Sequence, residues 1–236
     1  MHFAGGNCHS FQFLAPLLTD FEVVSPELPG RGRRMEEPLL KSFDLAALDI
    51  FEQISNRITD AQFILYGHSM GAYLAFRITN MLERAGRPPA YLLVSGNPGP
   101  GVRECKNWHL LQENDFMEEL KTLGGIREEF INDRDLRAFF EPILRADFEI
   151  AERNQLAADP PVATPLYAMM GSREENVDKI TNWGRFTRSG FDHEVMEGDH
   201  FFIYKHPQRI VGIIRNCYGR AMIQQQRSLS DRKFYN

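Results

Sequence analysis

Apolar residues fall into two patterns along this chain of 236 residues: short unbroken runs, and longer stretches with apolar positions three and four apart. Runs at 62–66, 90–94 and 165–170 read as buried strands, and 193–196 as the last strand. Phe21-Glu22-Val23-Val24 reads as a further strand near the start. Helical spacing covers 11–18, then a helix capped by Ser42 whose buried face would carry Leu48, Phe51, Ile54 and Ile58. It returns at 72–82, around Trp183 and Phe186, and in a last helix opened by Pro207 with Ile210, Val211 and Ile214 turned inward. Strands alternating with helices predict an α/β chain, with a mostly parallel sheet flanked by helices. Chemistry should then gather at the carboxyl ends of the strands.

The alternation breaks between about 105 and 159. Residues 115–123 read as a helix with a stop at Gly124-Gly125, and 133–156 as helical pieces broken at Pro142. A helical insertion after a central strand suits a lid over the site. Phe116, Leu120, Phe139, Phe140 and Leu144 would serve a lid or an added core equally well. The basic loop Pro29-Gly30-Arg31-Gly32-Arg33-Arg34 reads as a solvated surface turn. A single domain over 1–223 is expected, the insertion included, followed by a polar, mobile tail over 224–236.

Composition narrows the function classes. Hydrophobic residues make up 43% and charged residues 25%, as in ordinary globular proteins. The net charge of −5 argues against a nucleic-acid binder that neutralises phosphates. Three widely spaced cysteines (Cys8, Cys105, Cys217) suggest neither a disulfide framework nor a paired metal site. With no apolar stretch of membrane-spanning length, a cytoplasmic protein that binds no membrane is expected. A monomer is expected as well.

The chemistry centres on Gly67-His68-Ser69-Met70-Gly71, a Gly-x-Ser-x-Gly between a predicted strand and a predicted helix. In that context the motif is a nucleophile elbow: a turn too tight for flanking side chains lifts Ser69 out of the sheet edge. The amide of Met70, at the positive end of the helix, then points toward any oxyanion beside Ser69. Serine needs a base, and an imidazole needs a carboxylate to hold its tautomer. Of seven histidines, His200 alone lies in the loop just beyond the last strand. His68 sits inside the elbow with its side chain expected to point away from the serine, and His193 and His206 read as surface positions. The loop after 165–170 offers Glu174, Glu175 and, further on, Asp178, while Asp199 is too close in sequence to His200 to orient it. Ser69, Glu174 and His200 each follow a predicted strand, and nucleophile–acid–histidine is the α/β-hydrolase order.

Taken together, these motifs resemble the type II thioesterases of nonribosomal peptide and polyketide synthesis. The resemblance runs from Phe3-Ala4-Gly5-Gly6 through the Pro29–Gly32 stretch and the elbow, then Leu144-Arg145-Ala146-Asp147 and Gly198-Asp199-His200-Phe201-Phe202. It implies an α/β-hydrolase fold that cleaves acyl groups from the phosphopantetheine arm of a carrier protein, removing stalled or wrongly primed acyl groups without metal or cofactor. The family nucleophile and histidine fall on Ser69 and His200. The acid, normally aspartate in Gly-x-x-Asp, falls on Glu174 in Gly171-Ser172-Arg173-Glu174, and the amide of Phe3 would complete the oxyanion hole opposite Met70. A general carboxylesterase and a carrier-binding homologue with impaired catalysis are the competing readings. The family's strand ahead of the Phe3–Gly6 loop is missing, so a fraying loop is expected, and a natural start further upstream whose restoration would raise turnover and melting temperature.

Overall fold

The computed structural model describes residues 1–58, 62–102, 106–124 and 133–234. Its sheet has four strands, β1 (Ile64–His68), β2 (Tyr91–Ser95), β3 (Leu166–Gly171) and β4 (Phe191–Met196), side by side in chain order. All three pairings are parallel, with His68 opposite Ser95, Ser95 opposite Met169, and Gly171 opposite Met196. Strands buried on both faces need apolar residues at every position, which explains the unbroken runs. The pleat sends them to opposite sides. Leu92, Val94, Leu166, Ala168 and Met170 face one core with Phe76 and Trp183, whereas Tyr91, Leu93 and Met169 face a second core with Ile210 and Ile214.

Helices α1 (Phe43–Ser55) and α2 (Met70–Arg84) contribute to the first core and α5 (Pro207–Phe234) to the second. Ser42 caps α1, its Oγ accepting the N–H of Leu45 at 3.4 Å. The buried face of α1 is Phe43, Ala46, Ala47, Ile50 and Ile54, with Phe51 and Ile58 packed partly buried against the same core; of the face expected only Leu48, 43% exposed, turns away. The alanines let α1 lie close to α2, and that choice of phase turns Leu48 outward. Helix α5 runs through the polar stretch beginning at Gln224 and ends at Phe234. No helix among the described residues is long and apolar enough to cross a membrane.

Two expected elements near the start differ. Residues 21–24 form no strand, and Val23 and Val24 are 43% and 38% exposed. A β-branched run becomes a strand only beside a free ladder, and here the groups on the outer edge of β1 are taken by Met1. Its amino group donates to the Tyr66 carbonyl at 2.5 Å, and the His68 N–H donates to the Met1 carbonyl at 3.3 Å. Residues 11–18 form successive turns and a short 3-10 helix at Ala15–Leu17, with Phe11, Leu14 and Leu18 buried.

The insertion contains α3 (Glu113–Leu123) and α4 (Arg134–Glu152). Pro142 lies inside α4 without breaking it. Proline cannot donate to the carbonyl four residues back; that residue, Ala138, is exposed, so water can serve the freed group. Phe116 is fully buried with Met117, Leu120 and Leu144 in a small core between the two helices, whereas Phe139 is 47% exposed. Cys105 and Gly125 lie outside the described residues.

Candidate active site

Ser69 stands between β1 and α2 at φ 56° and ψ −118°, a conformation that costs a non-glycine residue energy and survives only where neighbours impose it. Those neighbours are visible. The Ser69 N–H donates to the Ser95 carbonyl at 2.7 Å, and Asn97 Nδ2 donates to the Ser69 carbonyl at 2.8 Å. Both elbow glycines are required by space. A Cβ on Gly67 would sit 2.0 Å from the Gly71 carbonyl oxygen, and one on Gly71 would sit 2.3 Å from the Met1 carbonyl oxygen.

Beyond β4, His200 is 5% exposed, in a turn closed by the Phe202 N–H on the Asp199 carbonyl at 3.0 Å. Its Nδ1 lies 2.7 Å from Glu174 Oε2, and Glu174 is 8% exposed. Glutamate reaches one methylene further than aspartate, and the structure shows where that length goes. The side chain folds back so that Oε1 accepts the Gly171 N–H at 2.8 Å, while the Glu174 N–H donates to the Gly171 carbonyl at 3.1 Å. The carboxylate is thus held at both oxygens. Its rivals point elsewhere: Glu175 is an exposed partner of Lys106 at 3.0 Å, Asp178 is exposed, and Asp199 lies 3.7 Å from Arg173.

The other histidines separate in the same way. His109 pairs with Glu152 at 2.7 Å, His206 Nε2 lies 2.7 Å from the Glu197 carbonyl, and His193 is an exposed residue of β4. His2 is buried, and burial first, then the Arg31 charge, pushes its pKa down to about 4. His68 is fully buried. Its ring packs against that of His200, centroids 5.0 Å apart, and its Nδ1 lies 2.8 Å from Ser95 Oγ, which also meets the Tyr66 hydroxyl at 2.9 Å. Burial pushes the Tyr66 phenol up, so this hydroxyl chain stays uncharged.

Ser69, Met70, Glu174 and His200 line one cavity of about 740 Å³. Leu123, Phe148 and Ala151 of the insertion face the same space, as does Tyr73 of α2. Phe116, Phe139 and Phe140 are not among its walls. At the loop near the start, Ala4 lines the cavity, while the Phe3 ring lies edge-on to Phe201 with centroids 5.0 Å apart. The turn is closed by the Gly6 N–H on the Phe3 carbonyl at 2.9 Å. The basic loop is no solvated turn at Arg31, which is 3% exposed and pairs with Asp147 of α4 at 2.6 Å. A lone arginine in a Gly-Arg-Gly turn carries no sign of a carboxylate so far along the chain.

A parallel sheet with a strained serine elbow after β1, a carboxylate after β3 and a histidine after β4 defines the α/β-hydrolase class. Solved structures share it. ClbQ from the colibactin NRPS/PKS pathway superposes with a TM-score of 0.86 at 26% identity, covering 94% of this chain and 96% of that one. The type II thioesterase BorB from the borrelidin biosynthetic cluster gives 0.83 at 30% identity, covering 92% and 89%. Residues 1–218 match the Thioesterase domain family, and the chain belongs to that family. Among characterised sequences, the gramicidin S biosynthesis protein GrsT of Aneurinibacillus migulanus is 31% identical over 208 residues, spanning 86% of this chain and 81% of GrsT.

Proposed function

We infer that the protein hydrolyses acyl thioesters carried on the phosphopantetheine arm of acyl or peptidyl carrier proteins, clearing stalled or wrongly primed groups from an assembly line. The observation that carries this reading is the buried His200–Glu174 pair at 2.7 Å, in one cavity with an elbow serine and the insertion helices. Ser69 Oγ attacks the thioester carbonyl carbon while His200 Nε2 takes its proton. Glu174 holds Nδ1 protonated and stabilises the imidazolium. The oxyanion is met by the Met70 amide and by an amide of the Phe3–Ala4 pair. Phe3 is the donor expected from the sequence, and the place of Ala4 in the cavity wall brings the adjacent amide forward as its rival. As the tetrahedral intermediate collapses, the carbon–sulfur bond breaks and the sulfur leaves as a thiol with the His200 proton. A water deprotonated by His200 then attacks the acyl-serine, releasing the free acid and restoring Ser69.

Ser69→Ala and His200→Ala should each lower kcat on an acyl-loaded carrier protein by roughly three orders of magnitude or more, with unchanged circular dichroism, because the three groups act as a unit. Substantial turnover in both variants would remove the serine mechanism. The same carrier panel set against oxygen esters separates this reading from a general carboxylesterase, which would favour the esters.

A further inference from the structure

Four polar groups meet under the loop at the edge of the cavity. Asp147 is fully buried, and its Oδ2 accepts the backbone N–H of Gly5 at 2.8 Å. Arg31 closes a fork on the same carboxylate, Nη1 to Oδ2 at 2.6 Å and Nη2 to Oδ1 at 2.7 Å, and Nη1 also reaches the Gly6 carbonyl at 3.2 Å. The carboxylate and guanidinium therefore grip both ends of the Gly5–Gly6 dipeptide. One turn earlier on α4, Leu144 presses on the same spot: a Cβ on Gly5 would lie 2.6 Å from Leu144 Cδ2. Gly5 has φ +75°, so only glycine combines this backbone with that approach. The Gly5 N–H belongs to the Ala4–Gly5 peptide, and Ala4 lines the cavity beside Ser69 and Met70.

A buried ion pair is a poor way to gain stability, since apolar residues of similar volume do as well or better. Geometry is what such a pair supplies, because a bidentate fork allows one relative orientation. We propose that Arg31 and Asp147 are positioning residues that fix the Ala4–Gly5 peptide against α4, so that the loop's oxyanion donor is set by the insertion. The proposal rests on the thioesterase reading above for its catalytic consequence and on geometry alone for the clamp.

The test compares two double variants that both remove the buried charges and differ in whether an acceptor for Gly5 remains. Arg31→Met with Asp147→Asn keeps a side-chain oxygen; Arg31→Met with Asp147→Leu does not. In the first, kcat should stay within about 5-fold of wild type. In the second it should fall roughly 10- to 100-fold, short of outright loss of an oxyanion donor. KM should change less than about 3-fold in both. A boronic acid that mimics the tetrahedral intermediate should lose affinity in step with kcat, which general loosening would not produce. If the Leu-containing variant is folded by circular dichroism and matches the Asn-containing one, the proposal is overturned while the thioesterase reading stands. If the wild-type chain turns over no thioester, that reading fails, and the clamp is judged by Gly5 amide hydrogen exchange. Faster exchange in the Leu-containing variant than in the Asn-containing one supports the clamp; equal exchange overturns it. Should the Leu-containing variant fail to fold, Asp147→Ala beside Asp147→Asn gives the same comparison, the same kcat in both overturning the clamp.

Discussion

At the scale of single residues, Glu174 shows how one methylene is absorbed. Its folded-back side chain satisfies the Gly171 N–H and His200 together, which a shorter aspartate on the same backbone could not do at both ends. Glu174→Asp should therefore lower kcat roughly 10-fold, and Glu174→Gln by roughly 100- to 10,000-fold, because an amide cannot stabilise the imidazolium. Glu175→Gln should stay within about 2-fold, as an exposed surface charge. Equal, small effects in steady-state kinetics would place the acid elsewhere. His2 supplies a pH prediction. Its pKa lies at about 4 in the folded chain against an ordinary 6.5, so between those values the unfolded chain binds a proton that the folded one does not. Its contribution to stability is complete above 6.5 and is lost as pH falls toward 4. Arg31, Asp147, the Met1 amino group and Glu27 are charged groups that act on it. The Met1 amine, held by burial at about 5, adds loss of the same sign. Urea unfolding at about pH 7 and about pH 5 should thus show a smaller drop for His2→Asn than for wild type. An identical drop would mean that His2 carries none of it.

At the scale of elements, the insertion divides its apolar residues among three tasks, with Ile150 and Leu156 entering the first core. Phe116, Met117, Leu120 and Leu144 hold α3 to α4, with the Arg145 guanidinium 4.4 Å over the Phe116 ring. Phe148 and Ala151, one helical turn apart on α4, face the cavity. Phe148→Ala or Ala151→Phe should shift acyl-chain preference by roughly 10-fold in kcat/KM, the scale of a methylene or two in an apolar pocket. Phe116→Ala should instead cost about 3–5 kcal/mol of stability and leave the preference in place. A preference shift in Phe116→Ala as large as that in Phe148→Ala, measured on thioesters of increasing chain length, would show that the division is wrong.

At the scale of the whole molecule, the two cores on either side of the sheet share its strands, so neither can open alone. The insertion is joined to the rest of the molecule by the ion pairs Arg31–Asp147 and Arg77–Asp159, the latter at 2.9 Å, and by Ile150 and Leu156, which are fully buried in the first core. We propose that 1–223 is one hydrolase domain in which α3, none of whose residues enters either of the two large cores, opens by itself. Native-state hydrogen exchange should show α3 amides exchanging by local opening at markedly lower free energy than β2 amides, which should require global unfolding. Equal protection of the two would make α3 an inseparable part of the core.

What the sequence determined by itself was whatever local physics decides. The unbroken apolar runs at 90–94 and 165–170 suit strands covered on both faces, and the two glycines around Ser69 suit a turn too tight for a Cβ. The order of Ser69, Glu174 and His200, which follow β1, β3 and β4, is a pattern along the chain that marks a candidate site without reference to any contact. Tertiary structure decided the rest, wherever a group's role depends on a distant partner. Periodicity allowed more than one buried face for α1, and packing against α2 chose the one with Ala46 and Ala47. Propensity made 21–24 a strand, but no ladder lay beside it. His68 found Ser95 only through the register of β1 on β2. Arg31 meets Asp147 across 116 residues, a contact that exists only once α4 lies over the loop, and no spacing within either segment encodes it.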